Sequence, residues 1–146
     1  MIDMSISAST TSTSSLQMTS IAADAAPLAG RVLLAGLFLV SGYGKLIAPT
    51  MTIGYIQSVG LPVPELSYMM ALLVELAGSL ALIVGFQTRV VALAMAIFTV
   101  ATAVTFHNNL ADLDQYFHFF KNISIAGGLL QIVAFGAGRF SLDARR

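Results

Sequence analysis

The sequence predicts an all-α membrane protein, a four-transmembrane-helix antiparallel bundle, and three observations predict it. Hydrophobic residues make up 57 % of the chain and charged residues only 10 %. Soluble domains carry about 25 % charged residues, so this chain lacks the polar surface that a water-facing domain needs. Four apolar runs approach or exceed the ~20 residues that a helix needs to cross a bilayer. The connections between them are short, which sets sequential neighbours antiparallel. With 146 residues, one domain is all the length allows.

Residues 1–26 form a compositional zone of their own. More than half of the first twenty are Ser or Thr, and such a stretch has too little apolar surface to offset its ordering entropy. It is expected to be disordered, leaving 27–143 as the membrane domain. The first span is expected over 28–47, opened by Pro27, whose missing N–H is unneeded at a helix start. Arg31 and Lys45 lie near its ends and can snorkel to the interfaces. Gly36, Gly42 and Gly44 permit close helix approach. Lys45 shares a helix face with Ser41, four residues back, and has a second option of turning inward. From Pro49 to Pro64 the chain is too polar to span. Met51, Ile53, Tyr55, Ile56 and Val59 suit a short amphipathic segment along the interface.

The second span, 66–85, is expected to carry Glu75 near its middle, where a carboxylate costs roughly 2.5–3.5 kcal/mol unless it faces a partner or polar cavity. At about 100° per residue, Ala71, Glu75, Gly78, Ser79, Leu82 and Gly85 fall on one small, polar stripe. Such a stripe packs onto other helices with the acid held in the seam. Gly85 suits a helix C-terminus and Thr88 an N-cap, so the third span, 89–107, returns at once. The fourth is expected over 118–138, with Ser124, Gly127, Gln131 and Gly138 on one face.

Basic residues fix the orientation. Arg31, Arg89, Arg139, Arg145 and Arg146 cluster at one side, and only Lys45 and Lys121 at the other. Both termini are therefore expected in the cytoplasm. On that topology the bundle gathers Ser41, Lys45, Glu75, His107, Asn108 and Lys121 around an outward-opening pocket. Glu75 lies roughly 15 Å below the outer surface at ~1.5 Å per residue. One carboxylate, two ammonium groups and a histidine that titrates near neutrality suit a quinone carbonyl or a small polar solute. Glu75 and His107 are the candidate proton-handling residues, and Ser41, Lys45 and Lys121 the candidate ligand-binding residues. A single Glu and two scattered His lack metal-ligand spacing, so no metal is expected, and a haem between His107 and His118 is disfavoured. Zero net charge without a basic run excludes nucleic acid as a natural partner. The absence of cysteine excludes disulfides, cysteine-ligated clusters and covalent c-type haem. No covalently bound cofactor is expected, and redox chemistry would rely on a bound quinone or a partner.

The run from Arg31 to Lys45, Gly60-Leu61-Pro62, Glu75-Leu76-Ala77-Gly78 and Thr88-Arg89 come in a fixed order. Lys121-Asn122, Gly127-Gly128 and Gly136-Ala137-Gly138-Arg139-Phe140-Ser141-Leu142-Asp143 follow them. Together they resemble the DoxX family of small bacterial membrane proteins over about residues 28–143. The resemblance implies a multi-pass protein of the bacterial inner membrane. It also implies kinship with the membrane subunit of thiosulfate:quinone oxidoreductase. Three readings follow: a quinone-interacting or accessory subunit beside a partner oxidoreductase subunit, a small-molecule transporter or permease, and a noncatalytic anchor for a soluble enzyme. Four spans without an inverted repeat favour the transporter only as a homo-oligomer.

Overall fold

The computed structural model describes the backbone of residues 5–146 and the side chains of residues 23–146. Five helices follow one another among the described residues: α1 (Ser5–Ile47), α2 (Pro49–Ser58), α3 (Pro64–Val84), α4 (Thr88–Phe106) and α5 (Leu113–Phe135). Four are long and apolar enough to cross a membrane: Ala23–Ile47 within α1, and α3, α4 and α5. The Ser/Thr-rich start, expected to be disordered, lies outside the residues whose side chains are described. The helix runs through Pro27 instead of opening there.

The bundle closes in the order α1, α3, α4, α5. The pair α4 and α5 packs most extensively, α1 leans on α3, and the seam between α1 and α5 is thin. The core is built of Ala35 and Phe38 from α1, Leu82 from α3, Ala92, Met95 and Ala96 from α4, and Ala126 and Leu129 from α5. Small residues at these positions let helix backbones approach where burial against lipid offers no hydrophobic gain. Bulky side chains such as Leu33, Val40, Val90 and Phe135 point outward, which is where a bilayer-facing belt belongs.

Each boundary has a local cause. Gly85, at φ 71, ends α3 in the left-handed conformation that glycine adopts without Cβ strain. The fourth spanning helix starts at Leu113, five residues before the expected His118, because the Asp112 carboxylate accepts from the Asp114 and Gln115 amides at 2.9 and 3.1 Å. It stops at Phe135, before the left-handed Gly136. The face of α5 bearing Ser124, Gly127 and Gln131 is exposed, and Ala126 and Leu129 face inward instead.

Of the three glycines expected to bring α1 close to a neighbour, only Gly42 does so. A Cβ there would lie 2.7 and 2.9 Å from Leu76 Cδ2 and Cγ and 3.1 Å from Glu75 Cβ, whereas Gly36 and Gly44 have nothing within 4 Å. Gly42→Ala is therefore expected to destabilise the protein by about 1–3 kcal/mol through overpacking. Gly44→Ala should be neutral or slightly stabilising in the same detergent unfolding assay. Equal stability of the two variants would show that α1 does not depend on this approach.

Candidate functional site

The middle of α3 is wound as a π-helix over Leu73–Gly78, flanked by regular α-helix on both sides. Such wide turns are rare and occur frequently at functional sites. Glu75 sits within this turn and is buried, at 4 % exposure. The Ser79 hydroxyl donates to the Glu75 carbonyl, satisfying a backbone group inside the irregular turn. The small stripe read from the sequence does face inward: Ala71, Glu75, Ser79 and Leu82 are all buried.

Lys45 turns inward to meet this acid. Its ammonium donates to both Glu75 oxygens, at 2.8 and 2.9 Å, and to the Ser41 hydroxyl at 2.8 Å. Ser41 in turn donates to Glu75 Oε1 at 3.3 Å. The three side chains form a closed polar triangle between α1 and α3, made possible because Gly42 lets the backbones close. The other basic residue of the first span corrects the expectation of snorkelling. Arg31 is completely buried. It donates to the Leu82 and Ile83 carbonyls at 2.9 and 3.0 Å, capping the end of α3, and to the Phe140 carbonyl in the C-terminal tail.

The triangle borders a cavity of about 750 Å³ at the end of the bundle opposite Arg31. Ser41, Lys45, Glu75, His107 and Lys121 all line it, as the sequence predicts, together with apolar groups such as Phe38, Ile56 and Phe98. Asn108 is not among its lining residues. Thr52, Tyr55 and Asn122 are, and sequence reasoning missed them. The segment α2, expected along the interface, instead folds over the cavity. Its Ile56 is buried and the Tyr55 ring lies 5.5 Å from that of Phe106. The alternation of apolar and hydroxyl residues in α2 was the available signal.

At the rim the two histidines stack, with ring centroids 4.9 Å apart. His107 Nδ1 meets Gln115 Oε1 at 2.8 Å, and Lys121 donates to His118 Nδ1 at 2.7 Å. Stacked directly on one another, the two rings leave no room for a haem between them. No group of three or more His, Cys, Asp or Glu side chains able to hold a metal occurs among the described residues.

The opposite end is closed by the tail. The amides of Leu142 and Asp143 donate to the carbonyls of Val84 and Gly85 at 3.0 and 2.9 Å. The Asp143 carboxylate accepts from the Gln87 amide at 2.9 Å, the Thr88 amide at 2.8 Å and the Thr88 hydroxyl at 2.6 Å. Thr88, expected to cap α4 itself, is its first residue, and the cap is supplied from 55 residues downstream. The Thr88 hydroxyl, then the Thr88 amide, hold the Asp143 carboxyl below the usual carboxylate range. A depressed native pKa stabilises above the unfolded value of about 3.9 and is lost as pH falls through the native one. Tail docking should thus persist to below about pH 4. It should be weakened at neutral pH by Asp143→Asn, with protease sensitivity of the tail as the readout. A tail equally protected in that variant would show the carboxylate to be dispensable.

The DoxX family model matches residues 26–108, which include the polar triangle and His107. The chain belongs to the DoxX family. It is 38 % identical over 120 residues to the inner membrane protein YqjF of Escherichia coli K12, covering 82 % of this chain and 91 % of the relative. It is 32 % identical over 123 residues to the inner membrane protein YphA of the same organism, covering 81 % and 88 %. No solved structure matches the chain.

Proposed function

We propose that this DoxX protein binds a quinone-type ring molecule in the cavity and serves as a quinone-interacting or accessory membrane subunit of an oxidoreductase system. The observation that carries the reading is the cavity itself. It combines apolar walls with a few convergent polar groups, the usual anatomy of a small-molecule site, and it lies within membrane-spanning helices where a lipid-soluble ring is available. Glu75 and His107 are the groups suited to hold and exchange protons with the ring's oxygens. Ser41 and Lys45 fix Glu75, and Lys121 offers an ammonium at the rim. The relatives' location supports placement in the inner membrane, and the five-to-two basic bias supports both termini in the cytoplasm. Reporter fusions at Asp112 and after Arg146 should then score on opposite sides, and same-side signals would refute the topology.

The decisive test is purification in mild detergent, mass spectrometry of co-purified small molecules and proteins, and titration with a short-chain quinone. Saturable binding competed by an apolar ring analogue is expected. Absence of both copurified quinone and saturable binding would overturn the reading.

A further inference from the structure

The polar atoms that face the cavity are unevenly divided between donors and acceptors. An ammonium has three protons, and all three of Lys45 are engaged, by Glu75 Oε1, Glu75 Oε2 and Ser41 Oγ. The Ser41 proton is directed to Glu75. Three lining threonines direct their protons back into helix backbones: Thr52 to Ala48, Thr99 to Met95 and Thr102 to Thr99, at 2.9, 2.7 and 2.8 Å. His107 meets the Gln115 side-chain oxygen through Nδ1, and a neutral ring donating there presents Nε2 as a lone pair. At the triangle, lone pairs therefore remain where protons do not. Glu75 Oε2 receives only Lys45 and has room for a further donor. Tyr55, Ser67, Thr105 and Asn122 can donate or accept and select neither way, and His118, which takes a Lys121 proton at Nδ1, lies with it at the rim. Lys121 has protons to spare at the exposed rim, but a hydroxyl oxygen accepts from it as readily as a carbonyl.

A quinone carbonyl can only accept, so to take a proton from Lys45 or Ser41 it must break the triangle. A ring hydroxyl can donate to Glu75 with the triangle intact. We propose that the cavity selects the hydroxyl-bearing form of its ring ligand, a hydroquinone or phenol, over the carbonyl-bearing form, with the Glu75 carboxylate as the acceptor. The inference rests on the reading that a ring molecule occupies the cavity, and it names which form does so.

The first comparison uses the parent protein alone. Full-length protein in detergent, under anaerobic conditions, is titrated with trimethylhydroquinone, with its dimethyl ether and with trimethylbenzoquinone. The ether keeps the ring and its oxygens and lacks the protons, so it separates hydrogen-bond donation from redox chemistry. One hydrogen bond to a charged acceptor should make the hydroquinone bind roughly tenfold or more tighter than either of the others. Equal binding of all three, or tightest binding of the benzoquinone, overturns the donor selection and leaves the ring site standing. Binding of none overturns both. In the double variant Lys45→Met with Glu75→Leu, any remaining affinity should lose its preference for the hydroquinone. A preference that survives there would remove Glu75 as its source.

Discussion

Lys45→Met is expected to lower the unfolding free energy by about 3 kcal/mol, because removing one partner of a buried pair leaves the other charge uncompensated at a cost of roughly 3–5 kcal/mol. The lower figure applies because the attraction between the two is partly screened through Lys45, whose side chain is 27 % exposed, although the Glu75 left behind is only 5 % exposed. The double variant Lys45→Met with Glu75→Leu should recover most of the loss, since apolar replacement of a whole buried pair is often neutral or stabilising. Unfolding in mild detergent for parent, both single variants and the double closes the thermodynamic cycle. Single variants as stable as the parent would show that the triangle does not hold α1 to α3. If the double variant were folded and bound ligand unaltered, the pair would be irrelevant to the site as well. Glu75→Gln keeps the size of the side chain and removes its charge, so it should leave a folded protein of reduced stability that has lost proton exchange at this position.

Arg31→Met should be at least as damaging, at about 3–5 kcal/mol, because it strands buried carbonyls in three places. Each hydrogen bond from a charged donor contributes roughly 1.5–3 kcal/mol, and Arg31 makes such bonds to Leu82, Ile83 and Phe140. Water has little access to a residue with no exposed surface. The chain contains no cysteine, so Ser141→Cys introduces a single thiol at a buried tail position. That thiol should resist a water-soluble maleimide in the parent and react readily once Arg31 is replaced. Equal protection in both would mean that the backbone bonds of Leu142 and Asp143 suffice to hold the tail.

How far the sequence is legible depends on whether a residue's partner lies within its own helix period. Four spans follow from apolar runs, and the inward stripe of α3 follows from its spacing. The gathering of Ser41, Lys45, Glu75, His107 and Lys121 follows from placing those spans antiparallel. The wide turn at Leu73–Gly78 is invisible to a fixed 100° step, since no residue in it differs in type from those of an ordinary helix. Arg31 misled for a different reason: a basic residue near a helix end is compatible with an interface and with a carbonyl cap. Only the tail, 109 residues later, decides between them. Asp143 and Thr88 form another such pair, as one cap assembled from distant segments. The role of α2 was half legible, because its apolar residues do seek cover, but they find it over the cavity mouth.

The contrast between the two ends of the bundle has a consequence for how the protein breathes. At the Arg31 end, the amides of Leu142 and Asp143 bond to α3's last carbonyls, and a buried guanidinium spans the junction, so these protons should exchange with solvent only when the whole fold opens. At the cavity end, α2 is tied down by Ile56, an aromatic contact and short turns. Its amides can exchange through local opening at much lower free energy. A molecule entering or leaving past α2 would therefore have to disturb only this least cooperative part of the protein, and the tail end could stay closed throughout.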